Sequence, residues 1–158
     1  MKLVLNSHRF WRDIAPEVLR NLPPDEEPPI PSNSGIQGDP LLLDTILSSQ
    51  HTILITSGIE TQYVQEATRE GYDPSLIFVI TQQLVEQRAV ARPRLPGGRQ
   101  RIRGIPERHH AFLEDAIRAS ADYFVTKNPV WLDLGDSVLR DHSLRIVTPD
   151  GFINRESK

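Results

Sequence analysis

The sequence predicts an α/β domain: a three-layer α/β/α sandwich around a mostly parallel central sheet of four to five strands. Three observations predict it. Short apolar runs, "KLVL", "HTILIT", "DYFVT" and "SLRIVT", are spread along the chain. Segments with helical spacing lie between them, and strands alternating with helices favour parallel pairing with helices on both faces. The 158 residues, 38% hydrophobic and 25% charged, suit one folded core rather than a disordered chain.

Lys2 to Leu5 opens as a short apolar strand. "RFWRDIAPEVLR" follows with Phe10, Ile14 and Val18 at helical spacing, and Pro16 interrupts it or starts a second helical turn. Residues 21–40 hold 6 of the 13 prolines and three adjacent acids, which marks a surface loop or lid within a single domain of residues 1–158. "PLLLDTILSSQ" reads as a helix with Asp39 and Pro40 at its start. His51 to Thr56 is the second strand. Ser57 caps the next helix, with Glu60 completing a capping box, and Gly71 ends it. "PSLIFVITQQLVEQR" is a further helix, and the segment after it is irregular and basic. "ERHHAFLEDAIRAS" is an amphipathic helix with Phe112, Leu113, Ala116 and Ile117 inward. "DYFVT", a sharp turn at Thr126, Lys127 and Asn128, and a short helix come next. "SLRIVT" is the last strand, with "PDGFI" as a closing turn.

Composition excludes several classes. Without cysteine there is no disulfide, no thiol chemistry and none of the usual structural zinc sites. No signal-peptide pattern and no apolar run near about 18 residues is present, so the expectation is a cytoplasmic protein with no membrane partner. "PGGRQ" lacks the Lys-Ser/Thr pair of a phosphate-binding P-loop. The net charge is −3, so any basic footprint is local. Residues 88–108 supply one, with seven arginines against Glu107 alone and Pro93, Pro96, Gly97 and Gly98 making a projecting loop. Arg92, Arg94, Arg99, Arg101 and Arg103 are the candidate phosphate contacts, because guanidinium forks match phosphate oxygens. The competing reading is a loop that pairs with the molecule's own acids or with an acidic partner. No aromatic residues interleave with these arginines, so stacking on bases has little support there.

In open parallel sheets, ligands bind beyond the carboxyl ends of the strands. Those ends carry Asn6 and Ser7, Thr56 and Ser57, and Thr126 to Asn128, whose side chains are expected to converge. They are amides and hydroxyls, where a magnesium- or manganese-dependent hydrolase needs carboxylates.

"HHAFLEDAIRASADYFVTKNPVWLDL" followed by "LRIVTPDGFI" resembles the PIN domain family, the metal-dependent nuclease fold of VapC-type toxins and RNA-processing factors. The resemblance is specific over residues 107–153. It extends more loosely to "MKLVLNS", "ILITSGIETQYVQEA" and "SLIFVITQQLVEQRAVARP". It implies a magnesium or manganese site built from four acids. Those positions fall on Asn6, on Gln62 before Tyr63, on His109 or, with the register slipped by one, His110, and on Asn128. All four acids are therefore replaced, three by the matching amide, and the expectation is no bound metal. Taken singly, each residue has a plain explanation: Asn6 as a strand end, Gln62 as a helix surface, the histidines as solvated, Asn128 as a helix cap. Together they suggest a vestigial nuclease site. Asp13, Glu66, Glu114 and Asp115 are the acids that could substitute, and the preferred reading of the last three is a solvated helix face. Three functions remain open: an RNA- or partner-binding module that does not cleave, a ribonuclease or toxin using substitute ligands and held by an antitoxin, and a homodimerising regulator.

Overall fold

The computed structural model describes residues 1–22, 40–95 and 110–156. Five strands, β1 (Lys2–Leu5), β2 (Thr52–Leu54), β3 (Val90–Ala91), β4 (Tyr123–Val125) and β5 (Arg145–Val147), form one sheet in the order β3-β2-β1-β4-β5. Every neighbouring pair is parallel, with Leu3 opposite Ile53 on one side and Tyr123 on the other. Helices cover both faces, which gives the expected three-layer α/β/α sandwich. That cover explains why β1 is apolar at consecutive positions: Leu3, Val4 and Leu5 are all fully buried.

The strand order has a topological consequence. Strands two and three are added on one side of β1, and the chain then returns to add β4 and β5 on the other. The reversal between β1 and β4 opens a crevice at their carboxyl ends.

The first helical segment runs as α1 (Ser7–Arg9), a π turn (Phe10–Ile14) and α2 (Ala15–Arg20). Pro16 accounts for the π turn. It has no N–H for the carbonyl of Arg12, and the Ala15 N–H reaches back five residues to Phe10 instead. The interruption expected at Pro16 is thus a local widening. The remaining helices are α3 (Pro40–Ser48), α4 (Ser57–Ala67), α5 (Leu76–Glu86), α6 (His110–Arg118), α7 (Pro129–Leu132), α8 (Gly135–His142) and α9 (Pro149–Glu156).

Three sequence expectations need correction. Thr56, not Ser57, caps α4: its hydroxyl accepts from the Ile59 N–H at 3.1 Å, so Glu60 is out of register for a capping box. The basic stretch after α5 holds a two-residue strand, β3, fixed by Ile53 N–H to Ala89 O (2.7 Å) and Ile55 N–H to Ala91 O (3.0 Å). And "PDGFI" is the start of α9, where the Thr148 hydroxyl accepts from the Gly151 N–H at 3.0 Å and Phe152 is fully buried.

Among the described residues, four helices end on a non-glycine residue in the left-handed region: Gln50 (φ 56°), Arg88 (59°), Ser120 (57°) and Ser143 (58°). Each leads from a helix into the next strand. At three of them the following N–H reaches back five residues, as in His51 N–H to Ile46 O, Ala89 to Leu84 and Ala121 to Ala116, all at 2.9 Å.

Candidate functional site

A cleft of about 510 Å³ opens beside the reversal point. Asn6 enters it from the end of β1, Asn128 from just past β4, and Gln62 from α4. Tyr63, next to Gln62, anchors α4. It is fully buried, stacks on Phe10 at 4.3 Å, and donates its hydroxyl to the Leu5 carbonyl at 2.6 Å. Burial pushes that phenol upward in pKa.

The two asparagines share one network. Asn6 Oδ1 accepts from the His8 N–H at 3.0 Å and so caps α1, while its Nδ2 donates to Thr126 Oγ1 at 3.0 Å. Thr126 Oγ1 also accepts from the Asn128 N–H at 3.0 Å. Asn128 Oδ1 in turn accepts from Val130 N–H at 3.0 Å and caps α7, with Pro129 in its first turn. Of the three strand ends expected to converge, those of β1 and β4 do. The third does not line the cleft: Thr56 donates its hydroxyl to Asp115 Oδ2 at 2.6 Å within the protein.

His8, Arg12 and Glu70 line the cleft although none was named as a candidate from the sequence. Arg12, on the π turn, donates to Glu70 through Nε (2.9 Å) and Nη2 (3.2 Å), and His8 Nδ1 lies 2.7 Å from the same carboxylate. Burial alone would raise the Glu70 pKa. The hydrogen bonds and charges of Arg12 and His8 outweigh it and hold the carboxyl below its ordinary value. Glu66 faces Arg69 at 3.3 Å on the same rim. Gln62, Glu66 and Glu70 follow one another at four-residue steps, a spacing that points to Glu70. Phe112 and Trp131, with ring centroids 5.8 Å apart, form an apolar wall, and Trp131 also packs on Phe124 at 4.8 Å.

The other candidate residues are distributed differently. His109, Arg99, Arg101 and Arg103 lie outside the described residues, and His110 begins α6. Arg92 forms an ion pair with Glu60, and Arg94 is exposed. Neither lines the cleft. Glu114 and Asp115 are not on a solvated face: they are 4% and 6% exposed. Asp13 is buried against Arg9 at 3.0 Å, facing the interior and not the cleft.

The donor set does not fit magnesium or manganese. Those ions need several oxygen ligands with charge to offset their own. Here both asparagine oxygens already accept backbone N–H groups, and Glu70 is held by Arg12. Among the described residues no group of three or more His, Asp or Glu side chains gathers around a common point. Nor, among them, is any helix long and apolar enough to cross a membrane.

The fold and cleft define an all-parallel α/β protein with a polar crevice at its topological reversal. Comparison with protein-family models, with characterised proteins and with solved structures finds no match.

Proposed function

We propose that the chain is a PIN-like domain that binds single-stranded RNA in this cleft without cleaving it. The observation that carries the reading is the convergence of Asn6, Gln62 and Asn128, drawn from three parts of the sequence, on one crevice at the carboxyl ends of β1 and β4. Those are three of the four positions at which the resembled family carries its acids. Amides there retain hydrogen-bonding capacity and lack the charge a catalytic metal requires. Phe112 and Trp131 add an aromatic wall of the kind on which unpaired bases stack.

The test is fluorescence anisotropy on mixed-sequence single-stranded RNA at several salt concentrations, with the RNA afterwards run on a denaturing gel. Binding that weakens with salt, with the RNA intact in magnesium or manganese, is expected. Scission abolished by a chelator would establish the ribonuclease alternative, and absence of binding at low salt would remove the RNA reading.

A second reading, a protein-binding or self-associating domain, draws on α5, where Phe78, Val79 and Val85 are exposed on one helix. Light scattering across a concentration series tests its homodimer form.

A further inference from the structure

The hydrogen-bonding state of the cleft decides which part of an RNA it takes, on the reading that RNA is its ligand. Asn128 Oδ1 is committed to capping α7, so the end of the amide left for a ligand is Nδ2, with two N–H donors. Asn6 Oδ1 is likewise committed. Its Nδ2 spends one N–H on Thr126 and keeps one. Ser7 lines the same cleft, is 4% exposed, and its hydroxyl has no hydrogen-bond partner among the described residues. A buried hydroxyl left unmatched is uncommon in a folded protein, and this one stands beside the asparagine donors. The end of the cleft formed by Asn6, Ser7 and Asn128 therefore presents donors, the reverse of a cation site.

Donors alone would suit a phosphate or a carbonyl, and charge separates the two. The guanidiniums of Arg12 and Arg69 are matched by the carboxylates of Glu70 and Glu66, so the formal charge lining the cleft sums to zero. A phosphate entering it would meet two carboxylates. A neutral acceptor would not, and the Phe112–Trp131 wall gives a flat ligand an apolar surface. The volume, about 510 Å³, is within the range of small-ligand pockets.

We propose that the cleft is a nucleobase pocket. It holds one unpaired base through that base's carbonyl oxygens, as uracil offers at O2 and O4, and leaves the sugar-phosphate chain outside.

Three short oligomers test this: oligouridylate, oligoadenylate and an abasic ribose-phosphate chain, each titrated against the protein and against Asn128→Asp. Aspartate caps a helix at least as well as asparagine, so the variant keeps its fold, which an unchanged denaturation midpoint verifies, but it offers an acceptor where there were two donors. Oligouridylate is expected to bind tightest. Asn128→Asp is expected to weaken it about tenfold and to leave the abasic chain unaffected. Equal binding of the abasic chain and oligouridylate, equal binding of oligoadenylate, or an unchanged oligouridylate affinity in Asn128→Asp overturns the base pocket while leaving RNA binding intact. No binding of any oligomer at low salt overturns both.

Discussion

Asn6 Nδ2 donates to Thr126 Oγ1 at 3.0 Å, joining two residues 120 positions apart across the line where the sheet reverses its order of growth. The bond fixes the floor of the cleft, because the same threonine oxygen also accepts from the Asn128 N–H. Truncation of Asn6 to Ala removes this bond and the α1 cap together. A loss of about 1–2 kcal/mol is expected, measured by urea denaturation. Asn6→Asp keeps the cap, and rotation of the Thr126 hydroxyl lets it donate to the carboxylate. Its midpoint is expected to stay close to wild type.

Restoring charge to the amide positions tests the vestigial-site reading. The triple variant Asn6→Asp, Gln62→Glu, Asn128→Asp places three carboxylates around one cleft. Calorimetric titration is expected to show manganese binding in the variant and none in wild type. Stoichiometric binding by the wild-type protein would contradict the fit argued from its donor set.

Two titratable groups, His51 and Glu70, give separate pH windows. The His51 imidazole is held below 6.5, chiefly by burial, with the amino terminus acting in the same direction and Glu156 opposing. The unfolded chain therefore takes up this proton first as pH falls. The stability contributed by neutral His51 is complete above pH 6.5 and declines below it. Replacing His51 with Leu is expected to flatten the stability profile below pH 6.5. Glu70 acts lower. Its carboxyl is held below 4.5, so its contribution is present above that pH and lost as pH falls through the lowered value. Glu70→Gln is expected to cost about 1–2 kcal/mol at neutral pH, with the gap to wild type closing in acid.

Salt dependence tests the basic stretch of residues 88–108 as a phosphate contact. If Arg99, Arg101 and Arg103 each touch a phosphate, replacing all three with Ala flattens the logarithmic salt dependence of RNA binding by about two units, at roughly 0.7 per contact for a single strand. Arg92→Ala is expected to change the slope little, since that guanidinium is already paired with Glu60. A triple variant indistinguishable from wild type would remove the loop from the interface.

Ser143 holds φ 58° at an exposed helix end. Glycine takes that conformation without the Cβ penalty of roughly 1–2 kcal/mol, less its own chain entropy of about 0.5–1 kcal/mol. Ser143→Gly is expected to stabilise the fold by about 0.5–1 kcal/mol, read from the thermal midpoint.

The elements legible in the sequence were those whose local pattern and packing agree. β1 and β4 are continuous apolar runs because both faces of the sheet are covered, and α6 shows its buried Phe112, Leu113 and Ala116 at helical spacing. Val90 and Ala91 were not legible as a strand. Two residues carry no periodicity, and only the edge of β2 defines them. The start of α9 was legible in principle from Thr148 followed by Pro149, a cap and a first-turn proline, but Asp150-Gly151 competes as a turn signal. Within the cleft, the amides at Asn6, Gln62 and Asn128 could be named in advance. Arg12 could not, because its position depends on a π turn set by a proline four residues on. Asp115 read as solvated because helical spacing does not reveal a hydroxyl partner, Thr56, at the cap of a helix 59 residues away in sequence.

The left-handed steps at Gln50, Arg88, Ser120 and Ser143 all stand where the chain enters a strand, and the cleft stands where β1 and β4 are left behind. A strand of three residues is about 10 Å long, a separation at which substitutions usually act additively. The left-handed steps and the cleft thus lie on opposite rims of the sheet. A thermally hardened scaffold can be made by glycine replacements at the entry rim. The opposite rim then stays free for redesign, so that one frame can carry cleft surfaces of different specificity.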